Sequence, residues 1–293
     1  MIPVIWHHSD GFWDCAFPKY ILDHAARCMH VVGLDKAPMF LGQDTVVVVV
    51  PGRHSDHLDQ YASLRGVASD FKKVIYIIIG DEEGVFQVRA LHNENAKIWW
   101  FMPPFNPKQE VDRVAPNGWP TNAIEMIGEA RKASRGIRSF DWSFMGQVTH
   151  RRREECVAAA KDIPRGHLLC TTGFTKGDTR ENYYDVMVRS RAVLCPSGPC
   201  TPDSFRLAEA LEAGCMPIVD DATPNPLYPP GYWKYVFANK PLPFPLVTDW
   251  KNLPFILEFC RDNWEHRIGA CRLWWKSQKE RMIAEMKEDL NEE

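Results

Sequence analysis

Residues 45–50 read Thr-Val-Val-Val-Val-Val, and residues 74–79 read Val-Ile-Tyr-Ile-Ile-Ile. Runs that are β-branched and apolar at every position have no wet face. As strands they must be covered on both sides, which is the condition of a parallel sheet sandwiched by helices. Residues 2–6 and 97–101 carry shorter runs of the same kind. Between them, residues 16–31, 55–69 and 122–133 have helical patterning, the second with Ser55 as N-cap. Strand and helix alternating in this way mean βαβ units.

A second series begins near Phe140. Strands are expected at 142–145, 167–171, 192–195 and 215–219, with helices at 151–161, 180–189 and 204–213. With 293 residues there is room for two domains. The expected division is 1–138, 139–262 and a C-terminal helix at 263–293 that packs back on the first domain. The basic stretch 130–139 is the candidate linker. The proline-rich interval 224–245 reads as an ordered loop rather than a regular element.

Composition narrows the classes. An apolar content of 45%, a charged content of 25% and a net charge of −3 describe an ordinary globular chain with no global pull toward nucleic acid or anionic membrane. No run approaches membrane-spanning length. The N-terminus lacks the basic region of a secretory signal, and the nine cysteines are scattered with no C-x-x-C pair. Reduced thiols in a cytoplasmic setting are expected, and the chain is expected to be monomeric. Most of the eleven tryptophans are expected in the core.

The densest chemical signal lies between residues 190 and 221. A short strand ends at Pro196, a turn-rich loop holds Ser197 and Gly198, and a helix opens with Ser204, Phe205 and Arg206, continues through Glu209, and ends at Gly214. A helix N-terminus presents N–H groups and a positive dipole to an anion. Arg206 adds a planar cation suited to phosphate oxygens. Glu209, three residues on, shares its face and can accept ribose hydroxyls. An ordinary capped helix with an Arg206–Glu209 pair explains the same residues without a ligand. No G-x-G-x-x-G follows a strand, and no P-loop is present.

Tyr184, Ser190, Pro196, Gly198, Ser204, Arg206, Glu209, Ala210, Gly214, Cys215 and Pro217 together resemble the donor half of exostosin-type glycosyltransferases. That resemblance is specific over about forty residues and weaker back to Gly146 and Arg151–Arg153. It implies a GT-B architecture, two Rossmann-like domains facing across a cleft with a C-terminal helix crossing back. It further implies a nucleoside diphosphate sugar, UDP-linked, as co-substrate, with Arg206 on the diphosphate and Glu209 on the ribose. Transfer of a hexosyl group to an acceptor hydroxyl with inversion is the implied reaction. No prosthetic group is expected, and no metal, since such enzymes neutralise the diphosphate with arginines and dipoles.

Gly146 follows a strand and precedes the basic helix start Arg151-Arg152-Arg153. Consecutive helical residues point about 100° apart, so one arginine faces the phosphates and two face solvent; Arg153 is favoured over Arg152. A general base must come from the first domain. Asp81 and Glu82, directly after the strand at 74–79, are the leading catalytic candidates, with an acidic turn as the alternative. His7, His8 and Asp10, after the first strand, are candidates for the acceptor side, and His54 and His57 read as a surface pair. The acceptor is a glycan, lipid or protein hydroxyl, or a hydroxymethylated base of phage DNA tracked by the basic residues 131–138 and 151–153. A non-catalytic nucleotide-sugar-binding module and a flavodoxin-like regulatory or structural protein are the competing readings.

Overall fold

The computed structural model describes residues 1–7, 13–52, 58–104, 110–173, 178–224 and 230–291, with the backbone alone at 58–60. His8, Asp10, His54, Ser55 and His57 lie outside the described residues. The chain divides into two compact units, Met1–Thr121 with Gln278–Glu293, and Asn122–Ser277.

The first unit is built on six parallel strands: β1 (Ile2–Trp6), β2 (Cys28–Val32), β3 (Thr45–Pro51), β4 (Lys73–Ile79), β5 (Ala96–Phe101) and β6 (Arg113–Ala115), in the order β2-β1-β3-β4-β5-β6. The helices α1 (Ala16–Ala25) and α2 (Leu58–Ser69) form the crossovers between strands. Every residue of β3 from Val46 and of β4 from Val74 is buried, as their unbroken apolar runs require. Val48, Val50, Tyr76, Ile78 and Trp100 share one face of the sheet with Leu64 of α2 and Phe86.

The helix expected over 16–31 is shorter than its pattern suggested. It stops at Ala25, and the sequence Cys-Met-His-Val-Val pairs in parallel with β1 as an edge strand. Edge strands are only half covered, so their residues lack the continuous apolar signal of β3 and β4. The short strands β6 and β11 (Leu246–Val247) escaped notice for the same reason.

The second unit holds α3 (Ala123–Ser134), β7 (Phe140–Gln147), α4 (Arg151–Ala160), β8 (Gly166–Thr171), α5 (Arg180–Val188), β9 (Ser190–Cys195), α6 (Phe205–Glu212), β10 (Met216–Asp220), α7 (Tyr232–Val236), β11, and α8 (Leu253–Arg261). Its five parallel strands run in the order β11-β10-β9-β7-β8. Counted from its own first strand this is 2-1-3-4-5, the order of the first five strands of the other unit. Both sheets are therefore doubly wound, and each reverses direction between its first and third strands, the place where open α/β sheets bind ligands. In the stretch 130–139, α3 runs to Ser134 and the chain turns at Arg135 and Gly136.

The last helix, α9 (Trp264–Asn291), gives its residues from Gln278 onward to the first unit. Asp289 near its end is 0% exposed and accepts from Trp99 Nε1 at 2.9 Å, with Lys97 Nζ and Arg113 Nε at 3.3 Å. This buried carboxylate clamps α9 to β5 and β6. Of the tryptophans, Trp6, Trp99, Trp100, Trp142, Trp233 and Trp250 are among the largest fully buried side chains. Among the described residues no helix is long and apolar enough to cross a membrane.

Removing one partner of a buried charge cluster leaves the other charges uncompensated, at a cost of about 3–5 kcal/mol. Asp289→Ala should lower the unfolding free energy by that order in urea titration. Glu288→Ala, whose side chain is 59% exposed, should change it by less than about 1 kcal/mol.

Candidate functional site

The reversal point of the second sheet lies between β7 and β9, whose neighbouring residues include Trp142 opposite Ala192 and Ser143 opposite Val193. At the carboxyl end of β7 stand Met145, Gly146 and Gln147; beyond β9 come Pro196, Ser197 and Gly198, all buried. Proline cannot donate to the ladder, so β9 ends there and the chain turns away.

Arg206 reaches this point from the first turn of α6. Its Nη2 donates to the Met145 carbonyl at 3.0 Å, and its guanidinium carbon lies 4.9 Å from the centre of the Phe144 ring. A Cβ on Gly146 would stand 2.5 Å from Nη2, so only glycine leaves room for the side chain there. Nε and Nη1 are shut off from solvent and have no hydrogen-bond partner. Buried donors left unsatisfied cost on the order of 1–3 kcal/mol each. A fork of unpaired N–H groups held by packing has the geometry that suits an oxyanion.

The local sequence explains why the fork stays in place. Helix α6 ends in paired bonds from Gly214 N to Leu211 O and from Cys215 N to Ala210 O, with Gly214 at φ +68°. Ser204 occupies the N-cap with extended backbone, but its side chain makes no capping bond. Glu209 is 5% exposed and accepts from the hydroxyls of Tyr183 at 2.8 Å and Tyr184 at 2.7 Å. Burial pushes its carboxyl up, against the pull of the tyrosines and of Arg206. Both carboxylate oxygens are thus engaged within the protein.

The three arginines at the start of α4 divide differently from expectation. Arg151 is exposed and pairs with Glu155 at 2.7 Å. Arg152 is buried, not solvated: Nε and Nη2 grip Asp220 at 3.0 and 2.6 Å, and Nη1 reaches Glu155 at 2.8 Å. Arg153 donates to the Ser197 carbonyl and the Gln147 carbonyl, both at 3.2 Å, at the end of β7. His150, the N-cap of α4, places Nε2 3.1 Å from the same Ser197 carbonyl, a position that the sequence reading passed over. The hydroxyl of Ser197 is buried without a partner. Gly146, Arg153, Ser197 and Arg206 therefore converge on one strand end, and Phe205 and Ser204 stand half-buried beside them.

Of the basic residues 131–138, Lys132 and Arg135 are exposed, while two others bind backbone carbonyls of the second unit. Arg131 donates to the Glu212 carbonyl, and Arg138 to the carbonyls of Val188, Ser190 and Gly214. These arginines hold α3 and the strand ends of the second unit together.

In the first unit, Asp81 follows β4 and Gly80. It is 0% exposed and accepts from Val85 N at 2.9 Å and Phe86 N at 3.2 Å. Its Cβ sits where a side chain on Gly52, at the end of β3, would fall. Burial pushes its carboxyl up to about 7, offset by the N–H groups of Phe86 and Val85. Glu82 beside it is half-buried. His7 is also half-buried and donates its N–H to Val49 O at 2.9 Å.

Among the described residues one trio could supply metal ligands: Asp23, Cys28 and His30. Both ring nitrogens of His30 are already hydrogen-bonded. Trp6 Nε1 donates to His30 Nδ1 at 3.0 Å, so Nε2 carries the proton and meets Asp23 at 2.7 Å. Burial holds the Cys28 thiol up at about 11. These donors are set for hydrogen bonding rather than for a cation.

The second unit is thus a doubly wound α/β domain with a buried, partly unpaired guanidinium at its reversal point. A family model described as the RXYLT1 C-terminal domain matches residues 138–292, more than half of the chain, and the chain belongs to that family. Ribitol-5-phosphate xylosyltransferase 1 of Homo sapiens is 30% identical over 86 residues, which are 28% of this chain and 19% of the relative. The match therefore spans about a fifth of that relative's length. Anabaena HepE in complex with UDP is similar at a TM-score of 0.47 and 12% identity, over 99% of each chain. The same protein in complex with UDP-glucose is similar at 0.45 and 12%, over 98% of this chain and 99% of that one.

The raised carboxyl of Asp81 has a consequence for stability. Its folded pKa of about 7 lies above the ordinary 3.8, so the neutral form is the one the fold favours. That contribution is complete below about pH 3.8 and is lost as pH rises through about 7. The Tm of the wild type minus that of Asp81→Asn should fall across this window and level off above it. A difference that stays flat would mean that the carboxyl ionises as it does in water.

Proposed function

We propose that the chain is a glycosyltransferase that binds a nucleoside diphosphate sugar, UDP-linked, at the end of β7 and transfers the sugar to an acceptor hydroxyl. The observation that carries this reading is the Arg206 guanidinium, sealed against Phe144 and Gly146 with Nε and Nη1 unpaired. Family membership supports it, since the matched region contains the whole receptor. The curated relative's name specifies xylosyl transfer, a pentosyl rather than hexosyl group, and ribitol 5-phosphate as the acceptor. UDP-xylose and UDP-glucose are accordingly the first donors to test, and ribitol 5-phosphate the first acceptor.

In this reading the diphosphate oxygens accept from Arg206 Nε and Nη1, with Arg153 and the loop of Ser197 alongside. Charge that develops on the leaving diphosphate then meets fixed donors in a site closed to water, where such interactions are strongest. Glu209 acts behind Arg206, balancing its charge. A ribose hydroxyl would have to share an oxygen already held by Tyr183 or Tyr184. No step requires a metal, and activity should survive EDTA. For the base, Asp81 has a pKa of about 7, matched to proton transfer at neutral pH. Glu82 is its half-buried neighbour. A direct attack by the acceptor on the anomeric carbon would invert its configuration. A binding module without turnover would keep the Arg206 receptor and lack only the base.

Arg206→Ala should weaken UDP at least tenfold by calorimetry, and Gly146→Ala should do nearly as much by displacing the guanidinium. Unchanged affinity in both would remove Arg206 from the site. Asp81→Asn and Glu82→Gln should each be assayed for transfer with donor affinity retained. A loss of turnover on the order of a hundredfold in one of them identifies the base, and full activity in both would discard the carboxylates.

A further inference from the structure

We propose that His150 is part of the diphosphate site, and that its Nδ1 takes up a proton when a nucleoside diphosphate binds. The proposal rests on the donor reading above and adds to it a residue and a proton.

The ring's hydrogen bonding fixes its tautomer. The Ser197 carbonyl can only accept, so His150 Nε2, 3.1 Å away, must donate to it. In the neutral ring Nδ1 is then a bare acceptor. It is shut off from solvent and has no partner. A buried lone pair without a donor is as costly as a buried donor without an acceptor. The hydroxyl of Ser197, whose carbonyl the ring meets, is likewise buried and unpartnered, as are Arg206 Nε and Nη1 of the side chain that reaches the Met145 carbonyl at the end of β7.

The charges around the ring determine what that group does to it. From α4, Arg153 and Arg152 face the imidazole, and the Ser197 carbonyl faces it from the loop after β9. Arg152 is matched by Asp220 and Glu155. Arg153 meets carbonyls of the two strand ends. Burial and Arg153 hold the free ring down at about 4, so it is neutral at physiological pH.

A diphosphate carries charge of the opposite sign into this cluster. It offsets the arginines and favours the charged ring. The proton comes from solvent, Nδ1–H donates to a phosphate oxygen, and the proton returns to solvent when the nucleoside diphosphate leaves. As the sugar departs, charge builds on that same oxygen cluster, and an imidazolium already in place stabilises it without moving.

The test is calorimetric titration of the full chain with UDP at about pH 6.5, in two buffers of different ionisation heat, with His150→Gln as the comparison. Glutamine keeps a donor near the Nε2 position and has no titrating nitrogen. The variant subtracts the protons exchanged by the terminal phosphate itself. The wild type should take up more protons than the variant, with the difference approaching one per UDP. Equal proton exchange in two proteins that both bind UDP would overturn the role of His150 and leave the donor site standing. Absence of UDP binding by the wild type would overturn both. Should the variant fail to fold, nitrogen NMR of the wild-type imidazole decides the matter. Nδ1 should move from the bare to the protonated shift range when UDP is added, and a bare Nδ1 in the complex would end the proposal.

Discussion

The second unit is organised by the Asp220 carboxylate, which is 0% exposed at the end of β10. It accepts from Arg152 Nε and Nη2, from the N–H groups of Ser197 and Ala222, and from Trp250 Nε1. Burying two charges is costly, and the cost is offset only when geometry is good and every lone pair is used. Here the fork is bidentate and three further donors complete the set. The result is that one carboxylate joins the start of α4, the loop after β9 and the turn at Trp250. The Ser197 loop, and with it the carbonyl that His150 and Arg153 share, is therefore held from behind.

Against that frame Arg206 is the exception. Arg152, Arg131 and Arg138 all end on carboxylates or carbonyls of the protein. Arg206 reaches a carbonyl with one nitrogen and keeps two others buried and unpaired. Among the described arginines with buried unpaired nitrogens, Arg206, Arg267 and Arg281, Arg206 is the one that stands at the reversal point of a doubly wound sheet, where open α/β sheets bind ligands. The first unit repeats the strand order, and Gly52 and Asp81 crowd each other at the carboxyl ends of β3 and β4, one strand over from its own reversal point.

The parts of this arrangement differ in how readable they are from sequence. Strands buried on both faces announce themselves: the valines of β3 and the isoleucines of β4 admit few other structures. The α6 motif is equally legible because a helix with Arg206 at its head and Gly214 at its end concentrates several rules in ten residues. Edge strands are harder, since β2, β6 and β11 have only one neighbour and partial cover. Hardest are the long-range partners. Nothing adjacent to Arg152 predicts that it turns inward to Asp220, sixty-eight residues away. Asp81 was legible as a carboxylate at a strand end, but its donors at Val85 and Phe86 depend on how the following loop folds back. His150 left only a faint signal, a polar residue at the N-cap of a basic helix, and its significance appears once Ser197 is brought against it.

The central claim is that the unpaired side of the Arg206 guanidinium is a diphosphate receptor. The most direct measurement is a crystal structure of the protein with UDP bound. The account predicts phosphate oxygens within hydrogen-bond distance of Arg206 Nε and Nη1, at the end of β7, with Arg152 still on Asp220. UDP bound elsewhere, or Arg206 satisfied by a protein acceptor in the complex, would contradict it.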